Sequence, residues 1–250
     1  MDDEILEALD AEQRSLQELV SGLEAEALLL GSRCPGWTIA DVLVHLAQTN
    51  QFAVASVTGT FSEAVDSGPD LDQVTDVDNW AAAAVEGDRP DSPIDAKSRW
   101  SDSADAQLDA FRVVDASARV PWVVGEMAAR TLASTRLSET WIHSNDIAAG
   151  LGTTLEPTER LWHIARLAHR TIPYAFSVAG HDAPGDVAFV LTAPGGDEWT
   201  FGDPDASTII RGRALELCEV AGQRADAADT GLLGEGPDST RTLELVRTFA

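Results

Sequence analysis

Arg136-Leu-Ser-Glu139-Thr-Trp-Ile-His143-Ser-Asn-Asp146 is the stretch whose reading decides the fold. It lies in a run, roughly Gly125 to Gly150, with no proline and with glycine only at its two ends. Such a run predicts an uninterrupted helix stopped by Gly150 and Gly152. Glu139 and His143 are four apart, so on a helix they stand one turn above each other on one face. Leu132 and Ile142 flank them on nearly the same stripe, which turns that face inward. A carboxylate and an imidazole facing a core need a partner, because an unpaired buried charge is very costly. A divalent metal serves both, and oxygen and nitrogen are ordinary zinc ligands. The same spacing also occurs on solvated faces, where Arg136 would simply pair with Glu139. A third ligand from elsewhere has to decide between the two.

The rest of the composition narrows the field. The chain has 250 residues, enough for one large domain or two, and 44% of them are hydrophobic, which argues against general disorder. A formal charge of −25 and a pI near 4.3 exclude phosphate-rich partners, so neither nucleic acid nor an anionic membrane is expected. Cys34 and Cys218 are the only cysteines, too few for a disulfide framework or a cysteine-based zinc site. With no apolar run of membrane-spanning length and an acidic rather than basic start, a soluble, cytoplasmic protein is expected.

Taken in order, residues 4 to 30 read as an amphipathic helix, with Ile5, Leu9, Leu16, Leu19, Val20 and Leu23 at helical spacing. A turn-rich loop, Gly31 to Trp37, precedes Thr38, which can cap a second helix running to Thr58, with Asp41 at its third position. His45 lies beside the apolar stripe of that helix and reads either as a core histidine or as a ligand. Cys34 reads as a small buried loop residue rather than a reactive thiol, since Arg33 is its only basic neighbour. Residues 59 to 97 form a long excursion with a short helix near Asp78 to Val85, and Trp100 to Ala118 a third helix. With the helix of Glu139, this predicts a four-helix bundle, whose core is a usual place for metals. A further helix covers Pro157 to Val178, and its His163 and His169 are six apart, on separate faces. The composition changes at Gly180 to Gly185, where the domain boundary is placed: 1–180 helical, 186–250 a small α+β domain. In the latter, Val187–Leu191, Glu198–Phe201 and Ser207–Ile210 read as strands, Arg213–Ala221 and Thr240–Phe249 as helices, and Cys218 as core.

Three local patterns together resemble one family. Cys34-Pro-Gly-Trp-Thr38 leading to Val44-His45-Leu46, and Glu139 through Asp146, are similar to the N-terminal domain of mycothiol-dependent maleylpyruvate isomerases, a DinB-like four-helix metalloprotein. Val190-Leu-Thr-Ala-Pro-Gly195, Trp199, Gly212 to Cys218 and Gly222-Gln-Arg224 resemble that family's small, sterol-carrier-like C-terminal domain. The resemblance implies an α+β chain. It also implies a divalent metal, zinc above all, on His45, Glu139 and His143, with Asp146 orienting a ligand histidine or standing as a surface charge. Arg224 matches the family's C-terminal arginine, the expected grip on an acidic substrate, or else is a surface arginine near a helix end. Mycothiol is the implied thiol cosubstrate. A thiol-dependent isomerase or thiol transferase is the leading expectation. A metal-dependent hydrolase, with Asp146 as its nearest general base, and a non-catalytic metal or small-molecule binding protein are the alternatives. A zinc anti-sigma regulator would carry a His-x-x-x-Cys-x-x-Cys arrangement, which is absent. A homodimer is left open.

Overall fold

A computed structural model describes residues 3–67 and 77–248. It divides into two compact units, Met1–Leu155 and Glu156–Ala250.

The first unit is a four-helix bundle built from α1 (Asp3–Ser21), α3 (Ile39–Thr58), α6 (Pro93–Val113) and α7 (Ala129–Gly150). The first and second helices of the bundle each pack on two others: α1 on α6 and α7, and α3 likewise on α6 and α7. The first predicted helix is broken, because Gly22 ends α1 and only a short α2 (Ala25–Leu28) follows. Glycine in a helix interior costs about 1 kcal/mol relative to alanine, which a surface helix end does not recover. Thr38 caps α3 as expected. Its hydroxyl accepts from the Asp41 N–H while Asp41 accepts from the Thr38 N–H, a reciprocal capping box. Arg89 closes a fork on the same carboxylate, Nε to Oδ1 at 2.7 Å and Nη2 to Oδ2 at 3.2 Å, tying the connecting segment to the start of α3.

That segment is more helical than predicted. α4 (Phe61–Asp66) and α5 (Val77–Gly87) occupy it, α5 where the short helix is expected, and the stretch 68–76 lies outside the described residues. Ser92 caps α6 with Pro93 in its first turn, so this helix begins well before Trp100 and ends at Val113, short of Ala118. Between α6 and α7 the chain forms a hairpin, β1 (Arg119–Trp122) and β2 (Gly125–Ala128), which sequence periodicity does not reveal. Its turn glycine, Gly125, has φ 109°, a conformation glycine adopts at little cost and other residues do not. α7 therefore starts at Ala129 and runs without interruption to Gly150.

A row of polar side chains crosses the bundle core. Gln13 of α1 donates to Gln107 of α6 at 3.0 Å, Gln107 donates to Asn50 of α3 at 2.9 Å, and Arg136 of α7 donates to the same Asn50 oxygen at 3.4 Å. Asn50 in turn donates to Ser103 at 3.1 Å.

The second unit holds α8 (Leu161–Val178), β3 (Val187–Thr192), β4 (Glu198–Phe201), β5 (Thr208–Arg213), α9 (Ala214–Ala221), β6 (Leu233–Glu235) and α10 (Ser239–Leu245). The sheet order is β4-β3-β5-β6, with β3 and β5 parallel and the outer pairs antiparallel. The three predicted strands are present, and β6 is an addition. The last helix stops at Leu245; Phe249 lies outside the described residues.

The division at Leu155 and Glu156 corrects the boundary expected at Gly180–Gly185. α8 packs on α9, α10, β3 and β4, so it belongs with the sheet rather than with the bundle. Its apolar stripe, Leu161, Ile164, Leu167, Ala168, Ile172 and Phe176, is buried within this unit, where α9 is its main neighbour. A sheet with one apolar face needs such a layer. Cys218 is core, as expected, and burial pushes its thiol pKa up. Among the described residues no helix is long and apolar enough to cross a membrane.

Candidate metal centre

α3 presents His45 and α7 presents Glu139 and His143, and one ligand atom from each of the three lies within 4.8 Å of the other two. His45 Nε2 stands 3.6 Å from Glu139 Oε2, and the two imidazole rings meet edge to face at 5.0 Å. The third group that the Glu–His spacing needs is thus supplied by a facing helix. All three side chains keep a little exposure, between 7% and 13%, which leaves a narrow opening to the centre.

Their charge states suit ligation. Burial pushes the His45 pKa down, outweighing the Glu139 hydrogen bond that raises it, so the imidazole is neutral with a free lone pair. Burial alone would raise the Glu139 carboxyl. The His45 contact and the Arg136 charge outweigh it and hold the group well below the usual carboxylate range. Two neutral nitrogens and one carboxylate oxygen form a zinc-type donor set that leaves a position open on a tetrahedral ion.

Arg136 is 1% exposed and stands one turn before Glu139, donating from Nη1 to Oε2 at 3.3 Å and from Nη2 to Thr49 Oγ1 at 2.7 Å. The Trp122 ring lies 6.0 Å from its Cζ, within reach of a cation–π contact. The bland reading of the sequence, Arg136 paired with Glu139, is therefore present, but inside the core and together with the two histidines. Among the described residues its Nε has no hydrogen-bond partner.

Asp146 is fully buried, which removes the reading as a surface charge. Its Oδ2 is 3.0 Å from His143 Nδ1. A carboxylate only accepts, so Nδ1 is the donor in this contact. The same oxygen accepts from the Cys34 thiol at 3.2 Å, and Sγ lies 3.7 Å from His143 Nδ1. Cys34 is a half-buried loop residue packed against the bundle core, and its thiol lies beside His143 and Asp146. The loop that carries it is seated on the end of α7. The Arg33 N–H donates to the Asp146 carbonyl at 3.1 Å, and Gly150 packs on Gly31 so closely that a Cβ there would stand 2.5 Å from the Gly31 oxygen. Trp37, at the end of the loop, lies 5.1 Å from the His45 ring. No local pattern announces the cysteine, because its partners are more than a hundred positions away.

The second unit holds the remaining candidates. Arg224 is half-buried just after α9, donates to the Gly222 carbonyl at 3.0 Å, and lines a depression of about 810 Å³ with Leu232, Thr240, Leu243 and Glu244. Gln223 beside it adopts φ 58°, the left-handed turn that ends the helix. His169 Nε2 donates to the Val187 carbonyl at 2.9 Å, and His163 packs on Trp162. Neither histidine of α8 belongs to a ligand cluster among the described residues.

Residues 9–148 match the family of the mycothiol maleylpyruvate isomerase N-terminal domain. Two uncharacterized proteins, from two strains of Mycobacterium tuberculosis, are each 32% identical over 247 residues, covering 97% of this chain and 93% of their own. Two crystal structures share the fold with a TM-score of 0.60 over 95% of both chains. One is of the mycothiol-dependent maleylpyruvate isomerase, 15% identical, and the other is of a histidine-to-alanine mutant of it, 14% identical. The α+β class and the DinB-like bundle agree with these matches.

Proposed function

This chain belongs to the mycothiol maleylpyruvate isomerase family, and on that premise we propose that it is a thiol-dependent metalloenzyme centred on His45, Glu139 and His143. The observation that carries the reading is the convergence of these three side chains from two helices, with the His45 pKa pushed down and the Glu139 pKa held low. A divalent ion held there, zinc by its donor set, acts as a Lewis acid that favours the thiolate form of an incoming thiol.

The chain's own residues set up the rest. Asp146 holds the Nδ1 proton of His143 and so keeps Nε2 turned toward the other two ligands. Arg136 holds Glu139 in place and balances its charge inside the core. The low-molecular-weight thiol is mycothiol, by family. Its thiolate adds to one carbon of an activated cis double bond, and rotation follows about the single bond so formed. Expulsion of the same thiolate restores the double bond as trans, with the thiol regenerated and no redox change. With an epoxide instead, the thiolate opens a C–O bond, the alkoxide takes a proton, and the thioether is the product. Arg224, carried by the family resemblance, supplies a guanidinium suited to a carboxylate of the substrate.

The hydrolase alternative needs a general base to activate water. Asp146, the nearest candidate, is fully buried and already accepts from Cys34 and contacts His143, which disfavours that role. Elemental analysis in a Cys34→Ser background tests this centre by itself: about one divalent ion per chain is expected, lost on adding His45→Ala or Glu139→Ala. Full retention in both variants sinks the assignment. Turnover is sought with maleyl-type and epoxide electrophiles, with and without mycothiol. Arg224→Ala is expected to keep its metal and to lose about 10- to 150-fold in turnover, the worth of a charge-assisted contact, with Arg224→Lys intermediate.

A further inference from the structure

The proposed reaction has no use for Cys34, yet its thiol completes a second group of convergent donors. Cys34 Sγ, His143 Nδ1 and Asp146 Oδ2 form a triangle with edges of 3.7, 3.2 and 3.0 Å, all within the 4.8 Å span of a possible ion site. Around a tetrahedral zinc, with sulfur at about 2.3 Å and nitrogen or oxygen at about 2.0–2.1 Å, neighbouring ligand atoms stand roughly 3.3–3.6 Å apart. The observed edges need only a few tenths of an ångström of adjustment to reach that spacing.

The triangle is set by the fold rather than by free side chains. Asp146 is fully buried, and the loop bearing Cys34 is pinned by the Arg33 to Asp146 backbone bond and by the Gly31–Gly150 seat. The donors also share a preference: thiolate and imidazole select thiophilic ions over magnesium or calcium. His143 meets this group through Nδ1, leaving Nε2 for the partners on the other side of the ring.

We propose that Cys34, His143 and Asp146 form a second cation site, for a thiophilic divalent ion of the zinc or cadmium class, sharing His143 with the first. The inference rests on this triangle and not on the catalytic reading. Proton balance sets how the two sites interact. In the ion-free chain the Sγ and Nδ1 protons both point at Oδ2. On binding, the Sγ proton leaves to solvent. The Nδ1 proton moves to Nε2 when the first site is empty. When the first site is filled it must also leave, and the ring then bridges as an imidazolate. The second ion is therefore held less tightly while the first is present.

Cobalt(II) titration of the full-length chain is the test, because thiolate-bound cobalt has a near-ultraviolet charge-transfer band that imidazole and carboxylate ligands lack. His45→Ala disables the first site and leaves the triangle, so it is expected to show the band with one equivalent. The double variant His45→Ala, Cys34→Ser is expected to show none. In wild type the band should grow with the second equivalent, at weaker affinity than in His45→Ala. His143→Ala should lose both sites. An independent readout is the alkylation rate of Cys34 in His45→Ala, which zinc should slow; Cys218 is fully buried and adds no background. Absence of the band in His45→Ala, or an alkylation rate indifferent to zinc, overturns the proposal and leaves Cys34 as a hydrogen-bond partner of Asp146. Failure of the first site would appear separately, as an equivalent without the band that persists in the double variant His45→Ala, Cys34→Ser.

Discussion

α7 and α8 are long helices that each carry histidine, and they are buried in opposite ways. α8 has one buried apolar stripe and an open side bearing Arg166, Arg170 and Tyr174. α7 is buried on every side, and the buried set includes Arg136, Glu139, His143 and Asp146. On α8, His169 is half-buried and is satisfied by a backbone carbonyl. On α7, His143 finds a carboxylate, a thiol and a second imidazole. The difference teaches that burial alone does not make a ligand. A histidine becomes one where several unlike donors are held together at a cost that apolar packing elsewhere must offset.

The largest effect that tests this contrast is on metal content. His143→Ala is expected to abolish binding at the first site, while His169→Ala keeps full stoichiometry in elemental analysis. Asp146→Asn, which can no longer only accept, is expected to weaken the metal by about 10–100-fold. Equal metal loss in the His143 and His169 variants would break the comparison.

Next in size is the cost of the buried charges on α7. Arg136→Met removes one partner of a buried pair and leaves Glu139 uncompensated, so the metal-free chain is expected to lose about 3–5 kcal/mol in urea unfolding. Zinc should return part of that loss, because it takes over the neutralisation of Glu139. A variant equally destabilised with and without zinc would show that Arg136 and the metal do not share this carboxylate.

A smaller effect separates the start of α3 from its centre. Burial opposes ionisation of Asp41, but the Arg89 and Thr38 contacts outweigh it and hold the carboxyl below its usual value. The folded pKa is thus depressed. The stability it brings is present above the unfolded value of about 3.9 and is lost as pH falls through the lower folded value. Asp41→Asn should cost about 1–2 kcal/mol at neutral pH, discounted for the half-exposed Arg89, and the gap to wild type should close below about pH 4. A gap that stays constant down to pH 2 would mean the carboxylate charge is not what matters. Smallest of all, His169→Ala should cost about 0.5–1.5 kcal/mol by calorimetry, one hydrogen bond to the Val187 carbonyl, and leave every metal measurement unchanged.

Much of this was legible in the residues, and what was not has identifiable causes. The cap at Thr38 and Asp41 and the period of α3 are local, so that helix reads directly, and the Glu139–His143 spacing survives as geometry because one turn of helix fixes it. The Gly22 break and the hairpin at 119–128 are also local, but weak against the apolar periods beside them. The membership of α8 is different in kind. Its stripe says that it covers something, not what, and the composition change at Gly180–Gly185 marks a loop inside the second unit. Cys34 is the extreme case. A contact to residues 143 and 146 leaves no trace in its neighbours, and only the seat of Gly31 on Gly150 brings it there.

The amide row through the bundle has one more consequence. Gln13, Gln107, Asn50 and Arg136 can meet only at one longitudinal setting of the four helices. A slide of one helix by a turn would leave their N–H groups stranded among apolar side chains. The row acts as a key that fixes the height of each rod, and α3 is keyed to α7 twice, through Asn50 and through Thr49, one turn beyond His45. The spacing between His45 and the Glu139–His143 pair is therefore decided when the chain folds. On the proposed reading, an arriving ion would meet a spacing already set by the packing of the bundle, far from the atoms that touch it.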